Sequence, residues 1–410
     1  MKKNDLKAKA AACSKCGKCR QVCPTFLEER TETLVARGRI HLANALDQGS
    51  LQATANLKKA ATTCLLCLRC SDNCPNKVDI ENIMVSAREL ILDKKSPAFL
   101  ENFIHKYIVS RRRPLALAAR MMGLTDEVIR LSRMSGVYRK LLSTTMGVDE
   151  NRRLPDFHFK TLHHKFGIAN TAPGNTRKVV YFPGCSGQLS LLNVSGAVIR
   201  TLVRSGADVV LPRFGCCGIP AYTSGFRSVA EKAARETVRI IKETGADMVI
   251  TSCGSCGRML RDIYPEMLGA DSHGARVMDV MEYLAEYPLA FGKNSAAAKV
   301  TYHDPCHLRR GMKVHEQPRA LLKSIPGVDF TEMPDADACC GCGGAFSLKY
   351  YDLSKKVRNT KLNMFQRTDA EVLATGCPAC IMHLEDGLAG IGSPVRVVHP
   401  VELVDSTFRE

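Results

Sequence analysis

Apolar and polar positions follow different periods in the two parts of this chain. Up to about residue 176, apolar residues recur at helical spacing, for example in TETLVARGRIHLANALDQG and DIENIMVSARELILDKK. From residue 177 onward, short β-branched runs such as VVYFPGC and ADVVLP alternate with helical segments. Strands that alternate with helices predict parallel sheets with right-handed crossovers. We therefore expect a multidomain α+β protein, helical at first and α/β afterwards.

The second part of the chain is an internal duplication of a unit with five cysteines. In each copy one cysteine follows a first strand, a Cys-Cys pair follows a second strand, and a CxxC follows a third. The same order returns 121 to 124 residues later, which a repeat explains better than chance. In parallel sheets ligands gather beyond the carboxyl ends of the strands, where all these cysteines fall. The candidate metal ligands are Cys185, Cys216, Cys217, Cys253 and Cys256 in the first copy, and Cys306, Cys339, Cys340, Cys377 and Cys380 in the second.

The N-terminal part carries two copies of the motif CxxCxxCxxxCP, at residues 13–24 and 64–75. Three closely spaced cysteines of such a motif bind one [4Fe–4S] cluster, and the fourth binds the other cluster in two-cluster ferredoxins. A zinc ribbon is the alternative, but ribbons use two CxxC pairs and no fixed cysteine before proline. The two expected ligand sets are Cys13, Cys16, Cys19 with Cys74, and Cys64, Cys67, Cys70 with Cys23.

Two kinds of metal site compete for each five-cysteine set. Zinc is often bound by CxxC pairs, yet a tetrahedral zinc needs four ligands and each copy offers five. Vicinal cysteines such as Cys216 and Cys217 point apart, so both rarely complete one tetrahedron. An iron–sulfur cluster tolerates the additional thiolate, and the soft all-sulfur donor set favours it. The remaining cysteine, Cys342, is expected as a small buried hydrophobe, and a spare ligand is the alternative.

Several polar residues near the motifs have two possible interpretations each. His303 and His307 flank Cys306 and either relay protons or satisfy backbone groups of a turn. The histidines before the first strand are expected in solvated loops; they are His158, His163 and His164. Cations among the N-terminal cysteines either favour a reduced cluster or are solvated surface charges. They are Lys15, Lys18, Arg20, Arg69 and Lys77.

Composition limits where the protein acts. The 410 residues include 19 cysteines, and the N-terminus has charges without the apolar stretch of an export signal. We therefore expect reduced thiols and a cytoplasmic location. No run of about 18 apolar residues occurs, so no membrane-spanning helix is expected.

The net charge of +17 is concentrated in the N-terminal part, where residues 1–180 hold 32 Lys and Arg against 16 Asp and Glu. Such an excess suits nucleic acid, an anionic membrane surface or an acidic protein. With no tryptophan and 6% aromatic residues, nucleic acid is not expected as a partner. The basic segment around residues 111–113 is either a packed connector or a peripheral contact with the inner face of the cytoplasmic membrane.

These motifs, in this order, resemble the iron–sulfur subunits of glycolate oxidase, of related lactate dehydrogenases and of anaerobic glycerol-3-phosphate dehydrogenase. The catalytic subunits of heterodisulfide reductase are similar too. The resemblance covers essentially all 410 residues. The segment CPTFLEERTETLVARGRIHLANALDQG is most similar to the glycolate oxidase and lactate dehydrogenase members. In the glycolate oxidase pattern the first module has an incomplete CxxC, whereas Cys253 and Cys256 are both present here, which is closer to heterodisulfide reductase.

The resemblance implies four regions. Residues 1–96 would form a helical ferredoxin domain with two [4Fe–4S] clusters, and residues 97–176 a basic helical connector. Residues 177–292 and 293–410 would form two duplicated, Rossmann-like cysteine-rich CCG domains with parallel sheets. Each CCG domain would hold one further iron–sulfur cluster, of the non-cubane [4Fe–4S] type in the heterodisulfide reductase pattern.

The resemblance also implies a function in electron transfer. Oxidising a 2-hydroxy acid removes a hydride equivalent, whereas iron–sulfur clusters accept single electrons, so a flavin or nicotinamide must divide the pair. This chain has no GxGxxG turn opening a helix and no Walker lysine. We therefore expect FAD on a partner dehydrogenase subunit, a membrane quinone or another carrier as acceptor, and no catalytic residue or flavin here. The alternative is a disulfide reductase whose non-cubane clusters split a substrate S–S bond by one-electron steps.

Overall fold

The computed structural model describes residues 6–94, 102–109, 161–171, 177–270, 272–294 and 297–408, together with residues 117, 152, 153, 156 and 158. The arginines at 111–113, and with them most of the expected basic connector, lie outside the described residues. Within the described ranges, no helix is both long enough and apolar enough to cross a bilayer.

The N-terminal region is built from helices, as the 3.6-residue periodicity predicts. Residues 6–94 are all described and contain no strand. The two longest helices, Ala36–Asp47 and Ile80–Lys94, cover the two amphipathic runs of the sequence and pack against each other. Gly49, with φ +74°, follows the first of them in a left-handed conformation that glycine adopts without strain. The remaining helices are Leu6–Ala11, Cys19–Val22, Pro24–Glu29, Ala55–Thr62 and Arg69–Asp72, with a 3₁₀ turn at Glu32–Leu34.

A first sheet follows, with five strands in the order β1-β3-β2-β4-β5. Strands β2 to β5 are parallel, and the two-residue strand β1 pairs antiparallel with β3 at the edge. The strands are Ala169–Asn170 (β1), Arg177–Phe182 (β2), Ala207–Val210 (β3), Met248–Thr251 (β4) and Arg276–Asp279 (β5). The helices around this sheet are Leu162–Phe166, Gly184–Leu189, Leu192–Arg204, Ile219–Thr223, Arg227–Thr244, Gly254–Arg258, Tyr264–Leu268 and Val280–Glu286, with a π-helical turn at Met259–Ile263.

The second sheet repeats the topology of the first. Its order, β7-β6-β8-β9, corresponds to β3-β2-β4-β5, and all of its strands are parallel. The strands are Ala298–His303 (β6), Val328–Phe330 (β7), Val372–Thr375 (β8) and Arg396–Val398 (β9). The helices are Glu316–Ser324, Ala345–Lys349, Tyr351–Gln366, Pro378–Gly390 and Pro400–Ser406, with a π-helical turn at His307–Gly311. We call β2 to β5 with their helices the first module, and β6 to β9 with theirs the second module.

The two modules pack against each other reciprocally. Helix Leu192–Arg204 of the first module lies on Pro400–Ser406 of the second, and Val280–Glu286 of the first lies on Glu316–Ser324 of the second. The first helix pair is joined by Asp405, which is 1% exposed. Its carboxylate accepts hydrogen bonds of 2.8 and 2.6 Å from the guanidinium of Arg200 and one of 3.2 Å from Arg204. The chain is thus an α+β protein with two parallel sheets arranged as a repeat.

Candidate metal centres

The first N-terminal cysteine set surrounds one small pocket of about 30 Å³. The backbone curls around it through left-handed conformations at Lys15 and Gly17, with φ of +59° and +84°. Cys70 of the second motif lines this pocket as well. All four cysteines of the expected first set line it: Cys13, Cys16, Cys19 and Cys74.

The second N-terminal set surrounds a neighbouring pocket of about 20 Å³. Here the loop between the cysteines turns through Leu66 and Leu68, with φ of +50° and +62°. Burial and the charges of neighbouring thiols raise the pKa of Cys70 well above its usual range. All four cysteines of the expected second set line this pocket: Cys23, Cys64, Cys67 and Cys70.

The cation beside the second set is a residue that we did not predict, Arg39. It is 3% exposed, and its Nη1 lies 3.8 Å from the sulfur of Cys23. The guanidinium also donates to the carbonyl of Ala60 and to the hydroxyls of Thr25 and Thr63, at 2.8 to 3.1 Å. A signal was present in the sequence, because Arg39 falls at helical spacing between buried residues of Ala36–Asp47.

The cations that we did single out have other partners. Arg69 reaches the carboxylates of Asp335 and Asp337 in the second module, at 3.3 and 3.4 Å. The Nζ of Lys77 donates to a backbone carbonyl, and Arg20 lies 3.7 Å from Glu32. Lys15 and Lys18 line the first pocket.

Both five-cysteine sets open into one cavity of about 220 Å³, between the two modules and the N-terminal region. The sequence predicts a set in each module, but it does not predict that the two sets face each other. Cys342 also lines this cavity; it packs against the hydrophobic core but is only partly buried, so it combines features of the small hydrophobe and of the spare ligand. The cysteines that line it are Cys64, Cys67, Cys185, Cys216, Cys217, Cys253, Cys256, Cys306, Cys339, Cys340, Cys342, Cys377 and Cys380.

Equivalent thiols of the two modules form equivalent pairs. The sulfurs of Cys217 and Cys256 are 3.4 Å apart in the first module, and those of Cys340 and Cys380 are 3.4 Å apart in the second. The first cysteines of the two CxxC motifs, Cys253 and Cys377, lie next to each other across the interface, and their thiols shift each other's pKa. The repeat therefore places its two cysteine sets on opposite sides of the same cavity, facing each other.

Interactions among these thiols favour ionisation at Cys217 in the first module and at Cys340 and Cys377 in the second. Bonds from Cys216 and Cys256 lower the pKa of Cys217 to about 6. The corresponding bonds from Cys339 and Cys380 hold the pKa of Cys340 well below its usual range. Because the thiolate is the form that binds metal, the second cysteine of each Cys-Cys pair is prepared as a ligand.

The second N-terminal set lies directly against the second module. The thiol of Cys67 lies beside those of Cys306 and Cys339, and its interaction with Cys306 is the main reason that the pKa of Cys67 rises to about 12. The hydroxyls of Thr62 and Tyr350 are 2.6 Å apart in the same contact. The second N-terminal set and the second module are therefore in direct contact.

Arg88 joins the same region to the first module. It lies on helix Ile80–Lys94 and donates to the carbonyls of Ala61 and Cys64, at 2.8 and 2.6 Å. Its guanidinium also donates to the carbonyl of Thr223. Arg88 was not singled out from the sequence, because only the folded chain brings these three carbonyls together.

The histidines fall into different roles. Both ring nitrogens of His307 have partners, the Ser255 hydroxyl at 2.9 Å and the Leu66 carbonyl at 3.2 Å. It therefore satisfies a hydroxyl and a backbone group, which agrees with the second of the two interpretations given for it above. His163 Nε2 contacts two backbone carbonyls, so it is not simply solvated. His303 is fully buried beside two cysteines of the second module.

The donors fit iron and sulfur. Two thiolates on one metal ion, with metal–sulfur bonds of about 2.3 Å, lie roughly 3.5–4 Å apart, close to the sulfur separations of both pairs. Soft thiolates select iron–sulfur clusters and zinc over hard cations. Five thiols in each module exceed what one tetrahedral zinc uses. The residues present can thus hold iron–sulfur clusters.

Comparison with known proteins agrees with this chemistry. The model of the cysteine-rich CCG domain matches residues 179–261 and 300–385, and that of the 4Fe-4S dicluster domain matches residues 9–78. Lactate utilization protein A of Geobacillus sp. (strain WCH70) is 32% identical over 239 residues, which cover 56% of this chain and 99% of that protein. The chain belongs to the iron–sulfur subunit family.

Other relatives of this iron–sulfur subunit cover more or less of it. The probable glycolate oxidase iron-sulfur subunit of Bacillus subtilis (strain 168) is 29% identical over 418 residues, 96% of this chain and 92% of that one. A subunit of the fumarate reductase (CoM/CoB) of Methanothermobacter marburgensis is 32% identical over 241 residues, 58% of this chain and 47% of that one. A crystal structure of a hypothetical protein from Helicobacter pylori shares the fold, with a TM-score of 0.58 at 8% identity over 99% of this chain and 73% of that one.

A substitution at Gly184 tests whether the first module binds iron through Cys256. Its φ is +67°, and a Cβ added there would lie 2.9 Å from the sulfur of Cys256. We expect Gly184→Ala to lower the iron content of the first module, because the methyl group displaces that sulfur. Gly245→Ala is the matched control, since its φ is +63° and nothing lies within 4 Å of the added Cβ. Both variants carry a backbone cost of roughly 1–2 kcal/mol, so equal iron contents after anaerobic reconstitution would contradict the prediction.

Proposed function

We propose that this chain is the electron-transfer subunit of a 2-hydroxy-acid dehydrogenase complex of the glycolate oxidase or lactate dehydrogenase type. The observation that carries the proposal is a continuous series of cysteine-lined pockets. Cys70 lines both N-terminal pockets, and Cys64 and Cys67 line both the second of them and the large cavity. Iron–sulfur clusters supply one-electron carriers when bound.

Each region of the chain has its own role in this proposed function. Residues 1–96 form a helical ferredoxin domain whose two four-cysteine sets hold two [4Fe–4S] clusters. Residues 97–176 form the connector, whose basic charge suits contact with the inner face of the cytoplasmic membrane. Residues 177–292 and 293–410 form Rossmann-like CCG domains, and each five-cysteine set holds one further cluster.

Two buried arginines place positive charge beside the second N-terminal set. Arg39 and Arg88 both lie at the second N-terminal set, and a positive charge there offsets the negative charge of four thiolates. Neither side chain has to move to do this, because each is fixed by three or more hydrogen bonds. Both guanidinium groups are therefore already held in place beside the second N-terminal set.

The partner is proposed to be an FAD-containing dehydrogenase subunit, with a membrane quinone or another carrier as acceptor. Relatives named as a glycolate oxidase iron-sulfur subunit and as lactate utilization protein A support this choice. A hydride from the hydroxy acid must be divided into single electrons before it enters this chain, and a flavin does that. The flavin belongs to the partner in this proposal.

A second candidate, a disulfide reductase, is favoured by the shared cavity. Both five-cysteine sets face the same space of about 220 Å³, and Cys253 and Cys377 meet at its wall. A small disulfide placed there reaches both sets at once. Its reduction takes two electrons and two protons, breaks one S–S bond and yields two thiols, with the electrons arriving through the N-terminal sets.

One experiment separates the two candidates. The chain is purified anaerobically, analysed for iron and sulfide, and reduced with its co-purifying flavoprotein and either glycolate or lactate. We expect paramagnetic iron–sulfur signals to develop only when flavoprotein and hydroxy acid are both present. Release of thiols from a small disulfide by the pre-reduced chain alone would favour the second candidate. Zinc-loaded, colourless protein without a paramagnetic signal after dithionite would contradict both.

A further inference from the structure

The second module contains a nitrogen donor that the first module lacks at the equivalent position. His303 is the last residue of β6 and lies opposite Thr375 of β8. The same position of the first module, the last residue of β2 opposite Thr251, is Phe182. The ring of Phe182 packs on Phe214 with centroids 4.7 Å apart. The register of the two sheets thus places imidazole and phenyl at equivalent points.

His303 is aimed at two of the cysteines. It is fully buried, and within the part of the chain that the structure describes neither ring nitrogen has a nitrogen or oxygen hydrogen-bond partner. The ring faces the thiol of Cys340 instead, and a ring nitrogen and the sulfurs of Cys340 and Cys380 all lie within 4.8 Å of one another. A buried imidazole with no better partner costs free energy, unless a ligand uses its lone pair. The position of the ring therefore needs an explanation.

We propose that His303 is a nitrogen ligand of the metal site in the second module, on the iron that Cys340 and Cys380 bind. This inference rests on the proposed occupation of that module by an iron–sulfur cluster. The sulfurs of Cys340 and Cys380 are 3.4 Å apart, and a ring nitrogen of His303 lies within 4.8 Å of both, so one ion can reach all three donors. Histidine replaces cysteine as the ligand of one iron in Rieske-type iron–sulfur centres. A cluster in the first module, which has Phe182 at this position, would be bound by sulfur ligands alone.

The mixed donor set has a consequence for electron flow. When a neutral imidazole takes the place of a thiolate on iron, the cluster carries less negative charge and its reduction potential rises. His303 would do this in the second module, where it leaves one of the five thiols surplus. The second module is therefore easier to reduce than the first. It is also the module whose Cys306 and Cys339 touch Cys67 of the N-terminal region. Electrons that arrive from the N-terminal sets collect at the second module before they reach the first.

The test is pulsed EPR of the anaerobically prepared, reduced full chain. We expect a strong nitrogen hyperfine coupling, of the size that direct bonding to iron gives, and its replacement by a ¹⁵N coupling when the protein contains ¹⁵N-histidine. This measurement needs no substitution, so it does not depend on the folding of a variant. A coupling that is absent, or as weak as that of a hydrogen-bonded ring, overturns the inference and leaves the proposed function intact.

Two variants identify the histidine. His303→Phe reproduces the first module and should abolish the coupling and lower the potential of the second site. His307→Gln is the matched control, because both nitrogens of His307 are already bonded to the protein, and it should keep the coupling. Persistence of the coupling in His303→Phe, or its loss in His307→Gln, would overturn the assignment. Iron no greater than the roughly eight atoms of two [4Fe–4S] clusters would overturn the proposed occupation of both modules as well.

Discussion

Replacing Arg358 with methionine is expected to lower the free energy of unfolding by about 3–5 kcal/mol, because it leaves a buried carboxylate without its cation. Arg358 and Asp386 are each 3% exposed, and the guanidinium donates to Oδ2 of the aspartate. Asp386 also accepts from the Tyr351 hydroxyl at 2.9 Å and from the backbone N–H of Arg153 at 2.6 Å. Those neutral donors cannot balance its charge. Denaturant unfolding of the metal-loaded protein measures the change.

Two further variants show that the charge is responsible. The double variant Arg358→Met with Asp386→Leu should recover most of the lost stability, since no uncompensated charge remains. Arg235→Met removes an ion pair on the surface, with Glu231, and should leave stability almost unchanged. If Arg358→Met cost less than about 1 kcal/mol, the size of a surface pair, the buried pair would not be the support that the structure indicates.

Loss of Cys339 should interrupt the path from the N-terminal region into the cavity. Its thiol contacts Cys67, so Cys339→Ser removes a proposed ligand at the point where the two regions meet. We expect iron binding in the second module to weaken by at least the roughly 10–100-fold that loss of an outer-shell partner costs a metal site. Spin relaxation of the second N-terminal site, measured by EPR, should slow because its paramagnetic neighbour is missing.

The duplication supplies the control for this experiment. Cys216 is the equivalent cysteine of the first module, where it contacts Cys185. Cys216→Ser should lose iron from the first module to a similar degree, while spin relaxation of the second N-terminal site stays as in the unaltered chain. Equal effects of the two variants on that relaxation would mean that the N-terminal region does not favour the second module.

Much of the candidate site could be predicted because its signals are local. Each CxxCxxCxxxCP motif spans twelve residues, so its spacing indicates which three cysteines share a pocket, and the pattern of two-cluster ferredoxins assigns the fourth to the pocket of the other motif. The position of each CxxC at the start of a helix is also a local signal. Cys253 precedes Gly254–Arg258, and Cys377 precedes Pro378–Gly390. Periodicity likewise predicts the helices Ala36–Asp47 and Ile80–Lys94, and the repeat predicts the second sheet from the first.

The rest depends on contacts between residues far apart in the chain. No periodicity indicates that both modules share a cavity, that Cys67 meets Cys339, or that Cys342 reaches the same space. The two-residue strand Ala169–Asn170 exists through its pairing with β3, and alone it is too short to show a pattern. Arginine is seldom buried, and the burial of Arg39 depends on acceptors supplied by other parts of the fold, Ala60 and Thr63.

The reciprocal packing of the modules has the form of an isologous interface, in which the same two surfaces contact each other twice. Helix Leu192–Arg204 meets Pro400–Ser406, Val280–Glu286 meets Glu316–Ser324, and Cys253 meets its own counterpart near the pseudo-two-fold axis. In a polypeptide with only one such unit, the same contacts would have to form between two copies. Fusion of two units in tandem makes the association independent of concentration. It also frees the halves to diverge, so that one can carry His303 where the other keeps Phe182.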